Sequence, residues 1–187
     1  TDYPASTIHR KIYEMEEGLK DDGSGKMIFS PRKNEDEFTK TIYFVDEASL
    51  ISNVNSENEL YRFGSGFLLN DLMKYCGDKK IVFVGDYAQL PPIGQNISPA
   101  LSAEYLKEQF NVSCKEVYLK EVVRQVADSS ILINATSIRD SIENNVFNTF
   151  QINDGADVIH GESLLNDYNK LTSGNVNEDA VIIAYSN

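Results

Sequence analysis

Two short acidic signatures hold the chemistry open to this sequence. The first is Asp46-Glu47, which directly follows the apolar run Thr41-Ile42-Tyr43-Phe44-Val45. The second is Gly85-Asp86-x-x-Gln89, which follows Ile81-Val82-Phe83-Val84 in the same way. In an open parallel sheet, ligands gather outside the carboxyl ends of the strands, so side chains emerging there can meet them. One carboxylate of an adjacent pair can hold Mg²⁺ through its water while the other orients an attacking water. That is the chemistry of nucleotide hydrolysis. Asp and Glu also end many strands that bind nothing, so the pair alone leaves both readings open. Gly85 permits a sharp exit from its strand, and Asp86 can fix the loop. Gln89 then stands where a side-chain amide can reach a terminal phosphate. A polar β-turn accounts for Gly85-Asp86 by itself, but not for Gln89-Leu90-Pro91-Pro92-Ile93-Gly94 at fixed spacing behind it.

The elements that must position these residues follow from periodicity. Unbroken apolar runs of this length suit strands covered on both faces of a parallel sheet. Between them Leu60, Phe63, Phe67, Leu68, Leu72 and Tyr75 recur at helical spacing. A strand, a crossover helix and a second strand make a βαβ unit, so the fold class is α/β. Upstream, Thr7 to Met15 reads as a short helix, followed by a flexible stretch from Lys20 to Gly25. Met27 to Ser30 then pairs as a hairpin with the segment from Phe38 onwards. Downstream, the prolines of Leu90 to Gly94 exclude regular structure. Leu101 to Phe110 reads as a helix and Val117-Tyr118-Leu119 as a strand. Asp128 or Ser129 caps a helix with Ile131, Ala135, Ile138 and Ile142 on one face and Arg139 and Asp140 on the other. Val158-Ile159-His160, a helix near Leu164 to Leu171, and Ala180 to Tyr185 complete a second alternation. The halves divide near residues 112–120, into 1–115 and 116–187.

Composition bounds the function. The 187 residues include 29 acidic and 17 basic ones, a net charge of −12, and are 41% hydrophobic. That is enough apolar content for a substantial core and excludes a wholly disordered chain. No run approaches the ~18 apolar residues of a membrane span. Thr1-Asp2-Tyr3-Pro4 lacks the layout of a secretion signal. Cys76 and Cys114 are too few for a disulfide framework and read as reduced thiols in a cytoplasmic protein without a membrane partner. Asn96, Asn111 and Asn134 are then chance sequons. The acidic total argues against nucleic-acid binding over the whole surface but leaves room for a local groove. Arg10-Lys11, Arg32-Lys33 and Lys79-Lys80, taken singly, read as ordinary solvated patches.

These residues also resemble a known family. Phe44-Val45-Asp46-Glu47-Ala48-Ser49 is similar to the Walker B segment, motif II, of superfamily 1 helicases. Gly85-Asp86-Tyr87-Ala88-Gln89-Leu90-Pro91-Pro92 resembles motif III of the RecD-like and Pif-type branch. Ser6-Thr7-Ile8-His9-Arg10 resembles the TxH element, motif Ib. Val122-Val123-Arg124-Gln125, with Ser129-Ser130-Ile131-Leu132, resembles motif IV at the entry to a second domain. Val181 to Asn187 resembles a later strand of that domain. The motifs stand in the family's order and cover nearly the whole chain. The resemblance implies two RecA-like domains of P-loop NTPase type, ATP and Mg²⁺ as cofactors, and single-stranded DNA and duplex junctions as partners. It implies that Asp46 coordinates Mg²⁺ and that Glu47 is the base or water-orienting residue. It makes Gln89 the γ-phosphate sensor coupled to the DNA groove and Arg124 an arginine finger from the second domain. Gly85 and Asp86 join the nucleotide-binding set. Thr7, His9, Pro91 and Pro92 lie near single-stranded DNA, although His9 also reads as a satisfied surface histidine. His160, with no motif around it, reads as structural.

One part of the machinery is missing from the sequence. A phosphate-binding loop needs G-x-x-x-x-G-K-[ST], because backbone amides, a lysine and a hydroxyl must surround phosphates and metal. Gly25-Lys26 does not supply it, since Met27 replaces the hydroxyl and Lys20 stands where the first glycine belongs. In the family that loop precedes the TxH element, and a last arginine motif follows the final strand. The expectation is therefore an internal piece of a longer ATP-dependent helicase, inactive alone. The alternative is a catalytically silent helicase-like module that binds or regulates. Residues 20–37 fit either a reduced duplex-splitting hairpin or a plain loop.

Overall fold

The computed structural model describes residues 5–15, 26–34, 40–56, 59–119, 121, 130–148, 163–173 and 183. The chain divides into two compact units, Thr1–Tyr118 and Leu119–Asn187. Among the described residues both units carry helices, and the first also carries strands in small parallel and mixed sheets, so the class is mixed α/β.

In the first unit, Thr7 opens helix α1 (Ile8–Ile12) by accepting the Arg10 N–H on its hydroxyl at 3.4 Å, the usual N-cap role. The chain then extends at Tyr13 into strand β1 (Tyr13–Met15), so the expected helix from Thr7 to Met15 ends early. Strand β2 (Met27–Pro31) pairs antiparallel with β1, Tyr13 opposite Pro31. Its other edge pairs parallel with β4 (Tyr61–Phe63), Met27 opposite Tyr61. These are different partners from the one expected from Phe38 onwards, where residues 38 and 39 lie outside the described set. The second sheet joins β3 (Ile42–Val45) and β5 (Lys80–Phe83) in parallel, Ile42 opposite Lys80 and Val45 opposite Phe83. Helix α2 (Leu68–Cys76) lies between them in sequence and buries Leu69, Leu72, Tyr75 and Cys76. The expected β-helix-β order therefore holds, but the helix is shorter than its apolar spacing suggested. Leu60 and Phe63 fall before and on β4, and Gly64 and Gly66, with φ of 45° and 84°, turn the chain before α2 begins.

A buried carboxylate ties these pieces together. Asp71, on α2 and 6% exposed, accepts hydrogen bonds from the Tyr13 hydroxyl at 2.8 Å, the Ser65 N–H at 2.8 Å and the Ser65 hydroxyl at 2.6 Å. Burial first, and then the hydrogen bond to Asp71, pushes the Tyr13 phenol well above its ordinary pKa. The unit is completed by a 3₁₀ turn at Pro99–Leu101 and by helix α3 (Ala103–Phe110), whose first turn is capped by the Ser102 hydroxyl. Ile12, Val45, Ala48, Ile51, Ala100 and Leu106 join the α2 residues in one core.

Two further expectations are corrected. Val117-Tyr118-Leu119 has no ladder partner among the described residues and is not a strand. Among the described residues the β3–β5 sheet is covered on one face only. Tyr43, Val45, Ile81 and Phe83 meet the core, whereas Phe44 stays 74% exposed and Ile42 51%. Strands read as doubly covered are thus half-covered among the described residues. In the second unit, helix α4 (Ser130–Glu143) leaves Ile131 and Ile142 exposed and buries Asn134. Helix α5 (Leu164–Thr172) starts at Ser163, which accepts the Asn166 N–H. Asp128, Ser129, the Val158 to His160 strand and the Ala180 to Tyr185 strand lie outside the described residues. No helix among the described residues is long and apolar enough to cross a membrane.

Candidate active site

The two acidic signatures leave neighbouring strands side by side. The ladder continues past the strand ends: the Val84 N–H donates to the Val45 carbonyl at 2.8 Å, and the Ala48 N–H to the Val84 carbonyl at 2.9 Å. The segment after β3 is therefore stitched to the segment after β5. Between these two bonds the chain must reverse at Asp46-Glu47. Glu47 does so with φ 51° and ψ 38°, the left-handed region. A residue with a Cβ is strained there by about 1–2 kcal/mol. The Asp46 carboxylate supports the turn by accepting the Glu47 N–H at 3.0 Å. Both acidic side chains are exposed. Directly behind them, Ala48 and Ser49 dive into the core at 0% exposure, as the first residues of a 3₁₀ turn at Ala48–Leu50.

That dive explains Gly85. A Cβ at Gly85 would lie 2.9 Å from the Ser49 N, 3.1 Å from Leu101 Cδ1 and 3.2 Å from the Ala48 N. Two of those neighbours are backbone, so only glycine lets the two segments approach this closely. Asp86 then builds the next turn. Its carboxylate accepts the Ala88 N–H at 3.0 Å and its carbonyl accepts the Gln89 N–H at 3.1 Å, which leaves the Gln89 side chain exposed. Pro92 is buried and Pro91 half-buried, anchoring the loop that follows. Asp46, Glu47, Gly85, Asp86 and Gln89 are thus brought to one end of one small sheet.

Other expected residues stand elsewhere. The Thr7 hydroxyl is taken up by its cap. His9 packs edge-on to Phe63 at 4.8 Å and tilted to Tyr13 at 5.7 Å, within the aromatic cluster of the mixed sheet. Crowding against those rings lowers the His9 pKa through desolvation, although water still reaches the imidazole. Arg124 and His160 lie outside the described residues.

A support network escaped the sequence reading. The Asn53 N–H donates to Gln95 Oε1 at 3.2 Å, its side-chain amide donates to the Tyr105 hydroxyl at 2.9 Å, and its Oδ1 accepts the Asn70 N–H at 3.1 Å. One asparagine thus joins the segment after Glu47 to the proline loop, α3 and the start of α2. These bonds span 42, 52 and 17 residues, and no local spacing signals them. Ser49 Oγ, fully buried under Gly85, has no hydrogen-bond partner among the described residues.

Among the described residues no three His, Cys, Asp or Glu side chains group to cage a metal. Zinc and calcium need such cages, whereas Mg²⁺ binds through one or two carboxylates and fills its shell with waters and substrate phosphates. An exposed Asp46 fits that kind of site, and the metal would supply charge neutralisation on phosphate oxygens. Compared with known proteins, the chain matches no family model, no curated protein and no solved structure.

Proposed function

We propose that this chain is part of an ATP-dependent DNA helicase of superfamily 1, RecD-like and Pif-type branch, built on RecA-like domains. The supporting observation is the emergence of Asp46-Glu47 and Gly85-Asp86-x-x-Gln89 side by side from two parallel neighbours. In this reading Asp46 holds Mg²⁺ and Glu47 takes the proton of, or orients, the attacking water. Gln89 addresses the γ-phosphate from a turn that Asp86 fixes. Movement of Gln89 reaches Pro91 and Pro92 through only one intervening residue, which is how hydrolysis is linked to a DNA-bearing loop. Thr7 and His9 contribute from α1, and Arg124 supplies charge stabilisation to the departing phosphate.

The sequence contains no G-x-x-x-x-G-K-[ST] segment, so the triphosphate contacts of that loop must come from outside these residues. The test is ATP turnover by a protein that carries this chain together with such a loop. Mg²⁺-dependent hydrolysis stimulated by single-stranded DNA is expected, with unwinding of tailed duplexes. DNA binding without any turnover would replace the motor with a silent helicase-like module.

A further inference from the structure

The segment that leaves the acidic turn holds the proline loop at both of its ends. At the near end, the Ala48 N–H donates to the Val84 carbonyl at 2.9 Å, and Gly85 lies too close to the Ser49 backbone for any side chain. At the far end, the Asn53 N–H donates to Gln95 Oε1 at 3.2 Å. Residues 85–95 are thus a strap fastened twice to residues 48–53. The far fastening reaches the prolines directly. The Gln95 N–H closes a turn on the Pro92 carbonyl at 3.0 Å, and Gly94, with φ 77°, supplies the positive φ that a type II turn needs at its third residue. Pro92 is buried, so whatever holds the Gln95 side chain also holds the proline end of the strap. Asn53 is in turn grounded on two helices. Helix α2 starts behind Phe67, which offers no capping side chain. The Leu69 N–H donates instead to the Ser52 carbonyl at 3.1 Å and the Asn70 N–H to Asn53 Oδ1 at 3.1 Å, which satisfies two amides that a helix start leaves open. The Asn53 side-chain amide reaches the Tyr105 hydroxyl on α3 at 2.9 Å. Between Glu47 and Asn53, Ala48, Ser49 and Ile51 are buried, so this stretch has little room to yield.

We infer that Asn53 and Gln95 are positioning residues, whose hydrogen bond makes a displacement of Pro91 and Pro92 felt at Gln89 and Glu47. What displaces the prolines, and what Gln89 and Glu47 then do, rests on the helicase reading; the double fastening does not. A strap held at both ends passes on a push received along its length. Held at one end only, it swings and absorbs the push. The Gln89 end is set by Gly85 and by the Asp86 turn, where the Asp86 carboxylate and carbonyl accept the Ala88 and Gln89 N–H groups. Turnover without DNA therefore does not need Gln95. Its stimulation by DNA does.

Gln95 is the residue to change, because losing Asn53 would also uncap α2. Hydrogen exchange on the 187-residue chain reads the fastening itself. Gln95→Ala should speed exchange of the Asn53 amide by about 5-fold, as expected for one lost hydrogen bond. Gln95→Glu, whose carboxylate still accepts, should keep the parent rate. ATP turnover with and without oligothymidylate, in a protein that carries this chain together with a phosphate-binding loop, reads the coupling. The two rates are compared within one sample, so a partly unfolded variant loses both and keeps their ratio. In Gln95→Ala the ratio should fall at least ~5-fold, with the DNA-free rate within about twofold of the parent. Gln95→Glu should keep the parent ratio, and so should Asn96→Ala, a change at the exposed neighbour. An unaltered Asn53 amide in Gln95→Ala, an unaltered ratio there, or an equal fall in Gln95→Glu or Asn96→Ala would each overturn the inference. A parent protein without turnover would instead end the helicase reading and take the inference with it, whatever the exchange rates show.

Discussion

Glu47 is pulled two ways, because the backbone at its position suits glycine and the proposed chemistry needs a carboxylate. Replacing it with glycine removes about 1–2 kcal/mol of left-handed strain and adds ~0.5–1 kcal/mol of unfolded-state entropy. Glu47→Gly is therefore expected to stabilise the fold by about 0.5–1 kcal/mol in urea denaturation while ending ATP turnover in the loop-bearing protein. Glu47→Gln, with the backbone strain retained, should leave stability unchanged and also end turnover. A glycine variant that is less stable would remove the strain argument, and turnover within about threefold in the glutamine variant would remove Glu47 as base. His9 gives a test by pH. Its folded pKa lies below the ordinary 6.5, so on acidification the unfolded chain takes up the proton first. Its contribution is complete above pH ~6.5 and is lost as pH falls through and below that value. The denaturation midpoint should thus drop between pH 7.5 and pH 5.5, and His9→Gln should make the drop smaller; an equal drop in the variant would assign it to other groups.

At the scale of elements, the Asp71 clamp is the most exposed to mutation. Asp71→Ala would leave the buried Tyr13 hydroxyl and the Ser65 N–H without an acceptor, and hydrogen bonds to a charged group contribute ~1.5–3 kcal/mol each. A loss of about 2–4 kcal/mol is expected by denaturation, with Tyr13→Phe costing about 1 kcal/mol or less because it removes both the donor and its need. A mild Asp71→Ala would show that β1, the Gly64-Ser65 turn and α2 hold together without it. The elements also divide into what local sequence encodes and what it does not. Ile42–Val45 and Lys80–Phe83 were legible within a residue because an unbroken apolar run ending on Asp or Gly has few other uses. Tyr61–Phe63 was hidden, because Leu60, Phe63 and Phe67 keep a helical period across a turn; Gly64-Ser65-Gly66 was the signal against it. Tyr13–Met15 was hidden because three residues carry no period at all. The placement of Asp46, Glu47 and Gln89 after these strands was readable for the same reason as the strands. The Asn53 network was not, since it depends on register between distant segments.

For the whole molecule, Arg124 belongs by sequence to the second unit, whereas Asp46, Glu47 and Gln89 belong to the first. If it acts as a finger, Arg124→Ala should cut ATP turnover by at least ~10²-fold with nucleotide binding nearly unchanged, and Arg124→Lys should not restore it. Turnover near the parent value would leave Arg124 as a surface side chain. The parallel pairing that sets the acidic signatures side by side has a further consequence, in time rather than space. Ile42 meets Lys80 some 38 residues along the chain, while Glu14 meets Ser30 after only 16. Closing the longer loop costs about 0.8 kcal/mol more in chain entropy, and parallel pairs gain nothing until the crossover has docked. In pulse-labelled hydrogen exchange during refolding, the amides of β1 and β2 should become protected before those of β3 and β5. The chemically useful end of the molecule is then the last to assemble. Until it does, the backbone edges of β3 and β5 are unpaired, which is where a nascent chain is most vulnerable to pairing with its neighbour instead of itself.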